Sequence, residues 1–178
     1  PLEDLLDQGL ELTLLYFNPN IQPQYEWERR LENARIVADR YGLPLLVQDQ
    51  SRPDLWSDFQ AGDSSRCGFC YQLRLSRTAE IARREGFDAI STSLLVSPYQ
   101  KRELILTQGQ RSVEGGDLAF MAFDWRDHYR KGQAMARDLG LYRQKYCGCL
   151  LSLDESAYAE TIRQEHQRLK SLDPVHQK

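Results

Sequence analysis

Short apolar stretches alternate with longer stretches of helical periodicity along this chain, and that alternation limits the fold more than any other feature. The apolar stretches are rich in strand-forming residues, and four strands are predicted: Glu11–Phe17, Leu43–Val47, Phe87–Leu95 and Asp117–Phe123. Helices are predicted at Leu2–Leu10, Tyr25–Tyr41, Pro98–Thr107, Asp124–Leu139 and Asp154–Lys170, with a loop at Gly109–Gly116. A further helix is predicted to follow an N-cap at Asp63, Ser64 or Ser65 and to run through Cys67 and Cys70 to Arg84. This order predicts an α/β fold with a parallel, doubly wound sheet flanked by helices.

The composition is typical of one soluble globular domain. Over 178 residues, 41% are hydrophobic and 28% are charged, so we expect a single α/β domain spanning 1–178. The predicted closing helix covers about 154–170, and a frayed tail, 171–178, follows. No apolar run approaches the roughly 18–20 residues of a membrane span, and no secretory signal pattern is present. We therefore expect a cytoplasmic protein with no membrane partner.

The chain begins with Pro1 rather than Met and enters a predicted helix at once. We therefore expect a fragment that lacks one or more elements at its amino terminus.

The four cysteines form two close pairs, Cys67/Cys70 and Cys147/Cys149. In a cytoplasmic chain of this size, such spacing favours metal binding or redox chemistry over a disulfide scaffold. Buried free thiols and a thioredoxin-like dithiol at Cys67/Cys70 remain the alternatives.

Each pair has a spacing that directs both sulfurs to one centre. Cys67 and Cys70 fall on one face of the first turn of a predicted helix, where the helix dipole, Arg66 and Arg74 favour thiolate. Gly148 lets the backbone turn tightly between the other two cysteines. Four converging thiolates are a complete ligand set for tetrahedral zinc or for an iron–sulfur cluster.

The segment from Arg126 to Lys145 is rich in basic residues, although the net charge of the chain is −3. It mixes aromatic and basic side chains in a way that suits stacking and phosphate contact, and a solvated helix face is the simpler alternative. No dinucleotide-binding, Walker A or nucleophile-elbow motif occurs, and the three histidines form no ligand pair. Of these, His128 is predicted at the surface, and His166 and His176 are predicted to be solvated.

A set of motifs in order resembles the QueH-type epoxyqueuosine reductases. The motifs are Tyr16–Ile21, Cys67-x-x-Cys70-Tyr71 with Leu73–Leu75, Thr78-Ala79, Gly86–Asp88, Ser91–Gln100 and Leu141–Cys149. The resemblance runs from near residue 1 to about residue 152. It implies a HUP-like (Rossmannoid) three-layer α/β sandwich and an oxidoreductase that removes the epoxide oxygen of epoxyqueuosine in tRNA, the last step of queuosine synthesis.

The resemblance also implies a [4Fe-4S] cluster with thiolate ligands, for which Cys67, Cys70, Cys147 and Cys149 are the candidates, and it leaves room for an additional iron. Members of that family carry a further Cys-Cys-x-Pro-Cys stretch after their first strand, immediately before the segment that matches Pro1–Leu6, and it is absent here. That absence agrees with the expectation of a fragment.

The remaining roles are assigned by residue type. The proton donor is predicted to be Tyr99, Asp124 or His128, with no choice among them, and Tyr99 and Trp125 suit stacking on a splayed anticodon-loop base. The predicted contacts to tRNA phosphates are Arg126, Arg130, Lys131, Arg143 and Lys145. The electron donor is not identified by the sequence.

Two other functions are the alternatives to a reductase. A structural zinc site in an RNA-binding or adaptor domain without catalysis would use the same four cysteines. An ATP-using tRNA thiolation enzyme would need a phosphate loop after the first strand, which this chain does not show.

Overall fold

The structure is a computed structural model that describes residues 1–48 and 52–172. The predicted tail 171–178 lies outside the described residues from residue 173 onward. Strands are β1 (Leu14–Phe17), β2 (Leu45–Gln48), β3 (Ala89–Ile90) and β4 (Ala119–Phe120). Helices are α1 (Leu2–Asp7), α2 (Gln24–Tyr41), α3 (Ser65–Glu85), α4 (Arg102–Val113), α5 (Tyr129–Asp138), α6 (Leu150–Asp154) and α7 (Ala159–Leu172). Short 3₁₀ turns occupy Pro53–Trp56, Ser93–Val96 and Arg126–His128.

The strands form two parallel pairs. β1 pairs with β2, with Leu14 opposite Leu45, and β3 pairs with β4, with Ala89 opposite Ala119. The α/β class and the parallel direction of the strands are therefore confirmed. Within the described residues, the two pairs do not join through hydrogen bonds into the one sheet that was predicted.

Several predicted boundaries were wrong, and each error has a local cause. The predicted third strand is only β3, because the Thr92 hydroxyl accepts a hydrogen bond from the Leu94 amide and starts a 3₁₀ turn. Helix α4 continues through the predicted loop at Gly109. A Cβ on Gly109 would lie 2.3 Å from the Phe120 ring, so this glycine permits close packing of α4 on β4 instead of ending the helix.

The carboxyl-terminal part of the chain also differs from the prediction. The closing helix is divided into α6 and α7, and the helix predicted from Asp124 starts as a 3₁₀ turn before α5. At the break between α6 and α7, Glu155 forms an ion pair with Arg66 on the first turn of α3. This ion pair fixes the end of α6 against the start of the helix that carries Cys67 and Cys70.

The main core cluster lies between α1, α3 and α4. Leu75, Leu95 and Ile105 are almost fully buried in it, together with Tyr71 and Trp125. Each buried aliphatic side chain of this size contributes roughly 1.5–3 kcal/mol to stability. In the part of the chain that is described, no helix has both the length and the apolar character needed to cross a membrane.

Candidate functional site

Cys67 lies on the first turn of α3 and Cys70 on the second, so the prediction that both lie on the first turn was one turn short for Cys70. The Asp63 carboxylate accepts hydrogen bonds from the Ser65 amide, at 2.8 Å, and from the Ser65 hydroxyl, at 2.7 Å, which fixes the start of the helix. Cys67 is half-buried and Cys70 is buried. The helix therefore presents one partly accessible thiol and one enclosed thiol.

The backbone between Cys147 and Cys149 makes a tight turn that only glycine accommodates. Gly148 has φ of +140°, and a Cβ there would lie 2.9 Å from Ile21 Cγ1 and 3.1 Å from Asn20 Nδ2. The Gly148 carbonyl accepts a hydrogen bond from the Gln22 amide at 2.9 Å. The turn leaves Cys147 exposed and Cys149 buried.

Helix α2 holds this turn in place through Arg30. Its guanidinium donates to the carbonyl oxygens of Cys147, at 2.8 Å, and Tyr146, at 2.9 Å, and to the carboxylate of Glu26, at 2.7 Å. Glu26 is fully buried and also accepts a hydrogen bond from the Tyr142 hydroxyl at 3.0 Å. The sequence analysis missed Glu26 and Arg30, because their i, i+4 spacing on a helix is equally typical of an exposed ion pair.

The fold brings the two cysteine pairs into one region. The thiol of Cys67 interacts electrostatically with Cys147 and Cys149, and Cys70 interacts with the other three cysteines. Cys70 and Cys149 also belong to the same apolar cluster, together with Trp56. All four cysteines are free thiols, a donor set whose chemistry fits a soft metal or an iron–sulfur cluster. In residues 1–48 and 52–172, however, no three His, Cys, Asp or Glu side chains are arranged as a metal-binding group.

Burial, rather than the helix terminus, controls the ionisation of the α3 thiols. Burial raises the pKa of Cys67, although Lys101 and Arg66 act in the opposite direction. Burial also raises the pKa of Cys70 to about 12, against the opposing charge of Arg74. The expectation that thiolate would be favoured was therefore wrong for these two thiols, because desolvation outweighs the opposing charges of Lys101, Arg66 and Arg74.

A short chain of hydrogen bonds reaches the exposed cysteine. The side-chain amide of Gln100 lies 3.7 Å from Cys147 Sγ and accepts a hydrogen bond from the Tyr71 hydroxyl at 2.7 Å. The same hydroxyl accepts a hydrogen bond from the Lys101 amide at 3.3 Å. Gln100 and Tyr71 were not among the predicted site residues, although Tyr71 directly follows Cys70 in sequence.

The three predicted proton donors lie in different environments. Tyr99 is 81% exposed, packs edge-to-face on Tyr129 and directly precedes Gln100. Asp124 forms an ion pair with Arg126, which holds the pKa of the carboxyl at about 2. His128 Nδ1 lies 3.1 Å from an Asp4 carboxylate oxygen on α1.

The predicted RNA-binding residues are exposed, but three of them have acidic partners within the chain. Arg126 pairs with Asp124, Lys131 with Glu3 and Lys145 with Glu165. Arg130 and Arg143 form no ion pair with any residue that the structure describes.

Two predictions of exposure were wrong. Trp125 is 7% exposed and stacks on Phe123, so it cannot stack on an RNA base. His166 is also 7% exposed and packs on Tyr25 near Glu26, because α7 covers this part of α2.

Comparison with known proteins identifies the relatives of this chain. The family model described as "Epoxyqueuosine reductase QueH" matches residues 1–155. Proteins named epoxyqueuosine reductase QueH are 31% identical in Dehalococcoides mccartyi, over 82% of this chain and 81% of the relative, and 34% identical in Thermotoga maritima, over 79% and 78%. A third, from Haemophilus influenzae, is 29% identical over 87% of this chain and 66% of its own length.

Proposed function

We propose that this chain, which belongs to the epoxyqueuosine reductase QueH family, reduces epoxyqueuosine in tRNA to queuosine. The observation that carries the proposal is that Cys70 and Cys149, which belong to two cysteine pairs separated by 76 residues, pack in one apolar cluster, with both pairs within the matched residues 1–155. We also assign the parallel α/β arrangement to a HUP-like three-layer sandwich. A tRNA substrate agrees with the cytoplasmic location expected from the sequence.

The reaction sets three requirements for the site. Removal of the epoxide oxygen breaks two C–O bonds, forms a C=C bond and releases water, so it consumes two electrons and two protons. The site must therefore bind a modified base, receive electrons from an external donor and deliver protons to the departing oxygen. The electron donor is a separate reductant.

The cysteines are the candidates for holding the redox group. Cys67, Cys70, Cys147 and Cys149 are the residues that would bind a [4Fe-4S] cluster, and an additional iron is part of the proposal. Such a cluster, when bound, supplies single electrons. Gln100 lies close enough to Cys147 to donate an N–H to its sulfur, a contact of the kind that adjusts reduction potential.

Tyr99 is the proton donor that geometry favours among the three predicted. Its neighbour in sequence, Gln100, contacts Cys147, which supports Tyr99 because the two residues share one loop. Asp124 has a pKa of about 2 and holds no proton to donate at neutral pH. His128 is directed toward Asp4 on α1.

The basic side chains would position the tRNA backbone. Arg130 and Arg143 are the first candidates, because both are exposed and neither forms an ion pair with a described residue. Arg126, Lys131 and Lys145 would have to exchange an acidic partner for a phosphate. That exchange costs little, since exposed ion pairs contribute only about 0–1 kcal/mol.

The test is anaerobic reconstitution of the whole protein with iron and sulfide, followed by visible and electron paramagnetic resonance spectroscopy. Turnover is then measured on epoxyqueuosine-containing tRNA with a chemical reductant. We expect a coloured protein whose spectrum depends on Cys70 and Cys149, together with formation of queuosine. A colourless protein that holds one zinc ion and gives no turnover would instead identify the structural zinc domain.

A further inference from the structure

A buried tyrosine, Tyr71, connects the helix of one cysteine pair to the exposed cysteine of the other pair. It directly follows Cys70 on α3, is only 3% exposed, and packs with its ring in the main core cluster. Because the core fixes the ring, it also fixes the position of the hydroxyl. That hydroxyl lies 2.7 Å from Gln100 Oε1, and Gln100 Nε2 lies 3.7 Å from Cys147 Sγ. The core thus reaches the exposed sulfur through one intervening side chain.

The hydrogen bonds around Tyr71 determine which end of the Gln100 carboxamide faces the sulfur. The Tyr71 hydroxyl accepts a hydrogen bond from the Lys101 amide at 3.3 Å and donates its own proton to Gln100 Oε1. With the carboxamide turned the other way, the hydroxyl proton would face an amide nitrogen, which cannot accept it, and Oε1 would face the sulfur. The N–H side of Gln100 is therefore directed toward Cys147.

The loop that carries Gln100 is fixed by its backbone, but its side chain needs a restraint of its own. The Gln100 amide donates to the Ser97 carbonyl at 3.4 Å, and the Lys101 amide donates to the Tyr71 hydroxyl. These bonds hold the main chain on both sides of the Gln100 side chain. A glutamine side chain still has considerable rotamer freedom, which a hydrogen bond at its far end reduces. Tyr71 supplies that bond from the core.

A donated N–H changes the redox behaviour of a sulfur ligand. Reduction adds negative charge to an iron–sulfur group, and a hydrogen bond to a sulfur strengthens as that sulfur becomes more negative. The hydrogen bond therefore stabilises the reduced state more than the oxidised state, which raises the reduction potential. A higher potential makes the group easier for an external reductant to load with an electron.

We propose that Tyr71 is a positioning residue of the redox site: its hydroxyl holds the Gln100 N–H toward the Cys147 sulfur and so raises the reduction potential of the group that the cysteines bind. Tyr71 acts through Gln100 and not on the sulfur itself. The effect on the potential rests on the proposed function, whereas the placement of the carboxamide depends on the protein alone. The two parts are therefore tested by different measurements.

The first measurement is a redox titration of the whole protein, reconstituted anaerobically with iron and sulfide and followed by electron paramagnetic resonance. Tyr71→Phe, which removes the hydroxyl and keeps the ring, should shift the reduction potential to a lower value. Gln100→Leu should shift it in the same direction. In the double variant, Tyr71→Phe should add no further shift, because a residue that acts through Gln100 has no effect once the carboxamide is gone.

The matched control is Tyr41→Phe. It also removes a hydrogen-bonded hydroxyl, but that hydroxyl lies 3.0 Å from a Glu3 carboxylate oxygen, between α1 and α2. This variant should leave the potential unchanged. An unchanged potential in Tyr71→Phe, or shifts that simply add in the double variant, would overturn the proposal.

The second measurement uses metal-free protein and needs neither a cluster nor activity. The side-chain N–H signals of Gln100 are identified in the nuclear magnetic resonance spectrum by their absence in Gln100→Leu. In Tyr71→Phe they should move toward the values of a freely rotating glutamine, while the signals of the core show that the fold is kept. Unchanged Gln100 signals would overturn the positioning role even in an active enzyme. If the unaltered protein binds no cluster, the effect on the potential fails together with the proposed function, and the Gln100 signals still decide the placement.

Discussion

Gly148 and its two cysteine neighbours illustrate how individual residues determine the site. The backbone at Gly148 has φ of +140°, and Ile21 and Asn20 leave no space for a Cβ. Cys147 faces solvent on one side of this turn, and Cys149 is enclosed on the other. A single residue therefore determines which of the two sulfurs is accessible.

Replacing Gly148 with alanine should destabilise the protein by about 1–3 kcal/mol, because the new side chain meets both backbone strain and a steric clash. Gly132→Ala is the matched control, since Gly132 lies in α5, where an added Cβ would meet nothing within 4 Å. That control should be neutral or stabilising by up to about 1 kcal/mol. Urea unfolding of both variants measures the difference, and equal midpoints would contradict the prediction.

Three of the four thiols, those of Cys147, Cys67 and Cys70, should react with an alkylating agent in the order of their exposure. In reduced, metal-free protein under native conditions, Cys147 should be labelled first and Cys67 second. Cys70 should be labelled roughly tenfold or more slowly than Cys147, because it is buried and its pKa is raised to about 12. Peptide mass spectrometry over time gives the order of labelling. In denaturant, the thiols should be labelled at similar rates. Equal native rates at Cys147 and Cys70 would show that α3 does not enclose its second thiol.

At the level of elements, α2 acts as the support for the Cys147–Cys149 turn. Arg30 connects the buried Glu26 to two carbonyl groups of that turn, and Asn33 forms hydrogen bonds with both backbone groups of Tyr142. These contacts run from Glu26 to Asn33, so about two turns of α2 fix the segment Tyr142–Cys147. A change on α2 should reach the cysteine site without touching a cysteine.

Arg30→Met should destabilise the protein by about 3–5 kcal/mol, because it leaves the Glu26 carboxylate buried without its charged partner. Arg35→Met on the same helix removes an exposed pair with Glu32 and should cost less than about 0.5 kcal/mol. Chemical unfolding of the two variants provides the comparison. A small effect at Arg30 would mean that Tyr142 and His166 satisfy Glu26 by themselves.

The elements also show what could be predicted from the sequence. Helices α2 and α3 were predicted almost to the residue, because each has a clear apolar period and ends at Gly42 or Gly86 in the left-handed conformation. The rule that a glycine ends a helix failed at Gly109, because this glycine lies within α4 and allows the helix to pack closely on Phe120. Local spacing placed the cysteines in two close pairs, but it carried no information on burial. For that reason Glu26 and Arg30 went unnoticed, and Trp125 was wrongly predicted to be available for stacking on a base.

For the molecule as a whole, α7 covers the part of α2 that carries Tyr25, Glu26 and Arg29. Ile162 packs on Tyr146, Glu165 pairs with Arg29, and His166 packs on Tyr25. His166 is consequently surrounded by Glu26, Glu165, Arg29 and Tyr25. Its titration should therefore report on the stability of the whole fold.

Stability should fall as pH decreases below about 6.5, in part because of His166. Burial lowers the pKa of His166 in the folded state, although Glu26 and Glu165 oppose the shift. The unfolded chain therefore binds a proton at higher pH than the folded chain does, and acidification favours unfolding. His166→Phe removes this titration. As the pH falls from 7 to 5, the free energy of unfolding of the unaltered protein should therefore decrease more than that of the variant. Parallel unfolding curves at each pH measure this difference, and a pH-independent difference would contradict the assignment.

The position of α7 has a consequence for the support of the cysteine turn. The family model matches residues 1–155, and α7 begins at Ala159, so the helix that packs on Tyr146 lies beyond the shared part of the chain. The cysteine turn thus has two kinds of support: Arg30 within the shared part and Ile162 outside it. The part of the chain that matches the family therefore does not contain the whole support of the cysteine turn, because Ile162 lies outside the matched residues.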